Sequence, residues 1–228
     1  FARARAHSTT LNYLSNIARR GVYVIHGTAD NNVPLSQGWG MFRAAEAHTD
    51  DIEMHREEGA NHWWDNPATD GVDCVDWPPL FEFMKARRLD PSETNFDFRS
   101  EGPSYSATHS YVTVTSAESV VSDFELSSRE VDGELTLTTT NVAAMSIDGT
   151  ALMERGVTSL VVDGEAVALE SAVIDVGVPA LKQGDSYGPF NQVFRRPFCL
   201  LYASDESAYA KIARYYASYW QLFGNGRT

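Results

Sequence analysis

The chain of 228 residues is 43% hydrophobic, enough to bury a substantial core in one large or two small domains, which excludes a disordered or fibrous protein. Its net charge of -13, from 31 acidic and 18 basic residues, gives an averaged surface field that repels polyanions and argues against nucleic acid as a partner. No segment approaches the about 20 apolar residues that a membrane span requires. Cys74 and Cys199 are far apart and sit in no Cys-x-x-Cys or Cys/His spacing, so neither a disulfide nor a metal site is predicted.

The chain opens on Phe1 and closes on Gly-Asn-Gly-Arg-Thr, which suggests a piece of a longer protein. Residues 8 to 20 place Leu11, Leu14 and Ile17 among polar positions, predicting a short amphipathic helix that Gly21 ends. Val22-Tyr23-Val24-Ile25 is β-branched and apolar on both faces, the pattern of a strand inside a parallel sheet, and His26-Gly27-Thr28 breaks it. Ser36 to His48, with Trp39, Met41, Phe42, Ala45 and Ala47, reads as the following helix. Ile52 to His55 reads as the next strand, running into the loop Glu58-Gly59-Ala60-Asn61-His62. Pro78 to Arg88 predicts a further helix, with Lys85, Arg87 and Arg88 where cations complement its C-terminal dipole.

From about Asn95 the pattern changes to short alternating runs, Ser110 to Thr115, Glu134 to Thr138 and Ser159 to Val162, separated by Asp132-Gly133, Asp148-Gly149 and Asp163-Gly164. Aspartate-glycine pairs between alternating runs predict hairpin turns and an antiparallel β unit, and turn formation accounts for these aspartates better than catalysis. Arg196 to Tyr202 then reads as one more buried strand, with Cys199 as an inert thiol inside it, and Ser207 to Phe223 as an aromatic-rich helix. The expected fold class is α/β, organised as an α/β part over 1–94, a β-rich domain over 95–178 and a strand-helix tail over 179–228.

The chemistry concentrates in Val24-Ile25-His26-Gly27-Thr28-Ala29-Asp30-Asn31-Asn32-Val33-Pro34 and, 32 residues beyond Asp30, in Gly59-Ala60-Asn61-His62-Trp63-Trp64. An acid just past the C-terminal end of a parallel strand, with a histidine on the loop after the next strand, lets a carboxylate orient an imidazole at the edge where open α/β sheets carry their sites. Asp30 could instead serve as a turn or cap residue, and His62 as a loop histidine. His26 reads as support for the turn rather than a second base. Trp63 and Trp64 either cover the core or wall a substrate pocket. His7, His48, His55 and His109 have no context that singles them out.

These two segments resemble the C-terminal end of the prolyl oligopeptidase family of α/β-hydrolases, which includes dipeptidyl peptidases and acyl-peptide hydrolases, over roughly residues 15 to 88. The tail from Gly188 to Gly226 is similar to the ends of bacterial peptidase-like members with an added β-rich region. The resemblance implies the C-terminal part of an α/β-hydrolase sheet, a serine peptidase or esterase activity without cofactor, Asp30 as triad acid and His62 as triad base. In that fold the nucleophile precedes the acid and the histidine in chain order, so the serine is expected upstream of Phe1, on the remainder of the hydrolase domain. Gly184-Asp185-Ser186-Tyr187-Gly188 has the Gly-x-Ser-x-Gly form, but Lys182 and Gln183 replace the apolar strand before it and Pro189 weakens the helix after it. The expected partners are a peptide or ester substrate, and the acidic surface fits extracytoplasmic or secreted surroundings. The alternative is a non-catalytic α/β-hydrolase-like module whose β-rich region binds a partner.

Overall fold

The computed structural model describes residues 9–65, 73–180, 199–202 and 207–223, which fall within two compact units, Phe1–Tyr187 and Gly188–Thr228. Ser186 and the start of the predicted strand at Arg196 lie outside the described residues. Strands outweigh helices, so the chain is α/β in content but mostly β-sheet.

The first segment, Thr10–Ile17, is a 3₁₀ helix kinked at Tyr13 rather than the longer amphipathic helix that its apolar positions suggest. Leu11, Leu14 and Ile17 recur every three residues, which is the period of the tighter helix, and only Leu14 is buried. Strand β1 (Val22–Gly27) follows, then helix α1 (Leu35–Ala45), strand β2 (Ile52–Glu57) and helix α2 (Pro78–Lys85). β1 and β2 pair in parallel from Val22 opposite Ile52 to Gly27 opposite Glu57, so both strands end at the same edge. A parallel pair is ordinarily covered on both faces, yet in β1 only Gly27 is buried. One face carries an aromatic cluster. His55 stacks on Trp77 at 4.1 Å, Trp64 meets Trp77 edge to face, and the Trp77 Nε1 donates to the Tyr23 hydroxyl at 3.0 Å. The guanidinium groups of Arg43 on α1 and Arg56 on β2 each lie 5.3 Å from the ring centroid of Trp39 on α1, a cation–π arrangement at the surface.

Residues 96 to 177 form a β-sandwich. One sheet has the order β10 (Glu165–Val167), β9 (Ser159–Val162), β7 (Glu134–Thr140), β6 (Phe124–Val131), β3 (Phe96–Ser100); the other has β11 (Val173–Gly177), β8 (Ala144–Asp148), β5 (Val112–Ser116), β4 (Thr108–His109). Alternate residues point inward, so Phe124, Leu126, Leu135, Leu137 and Leu160 of the first sheet pack on Val112, Val114, Met145 and Ile147 of the second. Pairing is antiparallel except between β7 and β9, where the chain crosses to the second sheet as β8 and returns through helix α3 (Gly149–Glu154). Asp132-Gly133 and Asp163-Gly164 are two-residue turns with positive φ at both positions, 52° and 84° in the first and 49° and 88° in the second, the mirror-image geometry that suits twisted strands. Asp148-Gly149 is not a hairpin turn. Asp148 caps α3, its carboxylate accepting from the Ala151 amide at 2.9 Å.

Polar contacts join the sandwich to the preceding segment. Asn16 donates to the Arg99 carbonyl at 2.9 Å and accepts from the Arg99 amide at 2.8 Å, satisfying the outer edge of β3, and Arg20 pairs with Glu93, which also meets His109 at 3.0 Å. In the second unit, helix α4 spans Ser207–Phe223. The predicted strand before it is absent over 199–202. Cys199 is exposed there with Leu200, Leu201 and Tyr202, because an apolar run without a pairing strand has no interior to enter.

Candidate active site

Asp30 sits three residues past β1 and His62 five residues past β2, and the common edge of the two strands brings their loops together. Thr28 donates its amide to the Glu57 carbonyl at 2.9 Å, Ala29 donates to Ala60 at 2.8 Å, and the Gly59 amide donates to Thr28 Oγ1 at 2.8 Å. Gly27 permits this closeness, since a Cβ there would overlap the carbonyl oxygens of Ala60 and Asn61. This role is invisible in the linear sequence, because the clash comes from a loop over thirty positions away.

The two oxygens of Asp30 have separate tasks. Oδ1 accepts the amides of Asn32 and Val33 at 2.8 and 2.9 Å, an Asx turn that immobilises the carboxylate. Oδ2 lies 2.8 Å from Nδ1 of His62. Burial of the side chain, 4% exposed, pushes the carboxyl pKa up, and the Val33 amide, His62 and the Asn32 amide outweigh it, bringing the pKa down from 3.8 to about 2. An ionised carboxylate can only accept, so the proton of a neutral His62 ring resides on Nδ1 and its Nε2 presents a lone pair. Among the described residues no hydrogen bond is made to Nε2, and the His62 side chain is 29% exposed. The pair thus has the geometry of a general base held in one tautomer.

His26 is occupied otherwise. Its Nε2 donates to the Val33 carbonyl at 3.0 Å and lies 3.6 Å from Asp30 Oδ2, while its Nδ1 faces Gly38, where a Cβ would collide with it. With Nε2–H committed to a carbonyl, His26 braces the Asp30 turn. Trp64, 9% exposed, joins the aromatic cluster, whereas Trp63 is 73% exposed and stands edge-on to the His62 ring, centroids 5.0 Å apart. His55 pairs with Glu57 at 2.8 Å. A hollow of about 450 Å³ opens on the His62 loop, lined by Glu57, Glu58, Asn61, Trp63, Trp64 and Asp65 among others. The carboxylates around it escape a reading by motif, since nothing in their spacing marks them. Among the described residues no serine, threonine or cysteine side chain hydrogen-bonds to His62, and no group of three metal-ligating side chains occurs.

Residues 3–76 match the model of the prolyl oligopeptidase family. Over these residues the chain is similar to a segment of that family of serine hydrolases. The prolyl oligopeptidase match covers β1, α1, β2 and the loops that hold Asp30 and His62, and it ends before α2 and before the sandwich. Among curated proteins and among solved structures, none matches the chain.

Proposed function

We propose that Asp30 and His62 are the acid and the base of a Ser-His-Asp triad in a serine hydrolase that cleaves peptide or ester bonds, and that the nucleophilic serine comes from sequence upstream of this chain, on the remainder of an α/β-hydrolase domain whose C-terminal strands are β1 and β2. The observation that carries this reading is the 2.8 Å contact between His62 Nδ1 and Asp30 Oδ2, at a shared strand edge and inside the segment that matches the family. In this reading His62 takes the serine proton at Nε2, Asp30 stabilises the imidazolium, and the same nitrogen then delivers the proton to the departing amine or alcohol. The half-covered β1–β2 pair supports the upstream placement, because a parallel pair needs neighbouring strands and helices to bury its faces.

The test is made on a protein that holds this chain together with its upstream sequence. His62→Ala should lower kcat by several orders of magnitude with a smaller change in KM, and Asp30→Asn should lower it on the order of 10³–10⁴-fold by releasing the tautomer. A fluorophosphonate probe should label one upstream serine in the unmodified protein. Full turnover in the His62→Ala variant would sink the assignment and leave the segment as a non-catalytic scaffold.

A further inference from the structure

Trp63 directly follows the proposed base, and its indole is 73% exposed while the neighbouring Trp64 is buried. So much apolar surface left in water is unfavourable, and here it lies where a substrate must come. The residue is also held in place. Its amide donates to Asn61 Oδ1 at 3.0 Å, and its ring stands at 88° to the imidazole of His62. The hollow of about 450 Å³ beside it is within the size range of small-molecule sites and is lined by Trp64, Glu57, Glu58 and Asp65 as well.

In acyl transfer the serine hydroxyl gives its proton to His62 Nε2 as its oxygen bonds to the carbonyl carbon. The same proton then passes to the leaving oxygen or nitrogen as the bond to that atom breaks. The leaving group must therefore come within hydrogen-bond reach of the imidazole. A side chain packed on the imidazole edge and open to solvent borders that departing half of the substrate. We propose that Trp63 is a specificity-determining residue that walls the leaving-group side of the site, and that the hollow beyond it receives a flat, apolar leaving group of neutral or positive charge. The indole offers a face or edge to a planar group, and the carboxylates of Glu57, Glu58 and Asp65, with no lysine or arginine among the described lining residues, set the charge preference. The proposal rests on the serine hydrolase reading above.

The test uses the protein that holds this chain with its upstream sequence, and the benzyl and methyl esters of one N-acetylated amino acid, which form the same acyl-enzyme. Trp63→Ala should lower kcat/KM for the benzyl ester at least tenfold and for the methyl ester less than twofold. The deacylation rate, common to both, should not change, and Trp63→Phe should restore most of the benzyl preference. A 4-carboxybenzyl ester should be a poorer substrate than the benzyl ester. Equal losses on both esters, or none, with His62→Ala still inactive, would overturn the proposal and leave the hydrolase reading intact. Absence of turnover of any ester by the unmodified protein, or turnover that survives His62→Ala, would bring down the hydrolase reading and this proposal with it.

Discussion

With Oδ1 engaged by two backbone amides and Oδ2 by His62, Asp30 keeps its charge far into acid. Its folded-state pKa of about 2 lies below the ordinary 3.8, so its stabilising contribution is fully present above pH 4 and is lost as pH falls through about 2. The stability difference between the unmodified chain and Asp30→Asn, measured by urea unfolding, should therefore shrink between pH 4 and pH 2. Any acid limb of activity at pH 5 to 7 belongs to a group other than Asp30. Gly27 tests the other half of the arrangement. Gly27→Ala would push a methyl group into the carbonyls of Ala60 and Asn61 and move the His62 loop. A displacement on the scale of 1 Å at a catalytic base costs on the order of 10²-fold in rate. The expected result is a loss of about that size in kcat in the protein with its upstream sequence, with the chain still folded by circular dichroism. Asp30 and His62 stood out as candidates in the sequence because Asp30 follows a β-branched strand and both lie in recognisable local motifs. Gly27 and Gly38 were not, because their constraint is a contact with a distant loop or side chain.

At the level of the element, the β-sandwich and the parallel pair are stabilised differently. Leu137 is fully buried between the two sheets, so Leu137→Ala should destabilise the sandwich by about 2–5 kcal/mol, the range for deleting buried methyl and methylene groups, read as a lower urea midpoint. The His62–Asp30 pair belongs to loops outside that core, and a nuclear magnetic resonance signal from the His62 ring should be unaltered by the substitution below the unfolding midpoint. Alternation revealed β5, β7 and β9 because one face of each is packed and the other is not. It did not distinguish the turn at Asp132-Gly133 from the helix cap at Asp148, since aspartate serves both uses and the choice depends on whether the chain doubles back or crosses over. The short helix expected over residues 8 to 20 is present as the 3₁₀ helix Thr10–Ile17, its spacing of three fitting that tighter turn.

For the whole molecule, the proposal that the serine lies upstream carries its own prediction. The isolated 228 residues should neither hydrolyse esters nor take up a fluorophosphonate probe, because an oriented base without a nucleophile transfers no acyl group. Labelling that disappears in Ser186→Ala would make Ser186 the nucleophile instead. The β1–β2 pair, with only Gly27 buried in β1, should exchange its amides faster than β6 and β7, which lie inside the first sheet of the sandwich.

The sequence by itself determined the change from helix-and-strand to alternating strands near Asn95, the acidic character of the surface and the candidate pair Asp30 and His62, because each is written in local periodicity, charge or a short motif. Only the tertiary structure decided that Oδ2 of Asp30 reaches Nδ1 of His62 while Oδ1 is held by the Asn32 and Val33 amides, that His26 is spent on the Val33 carbonyl, and that Trp63 faces outward while Trp64 faces inward. The physical reason is that these outcomes depend on which loops meet at the edge where β1 and β2 end, and that edge exists only once residues thirty positions apart have paired.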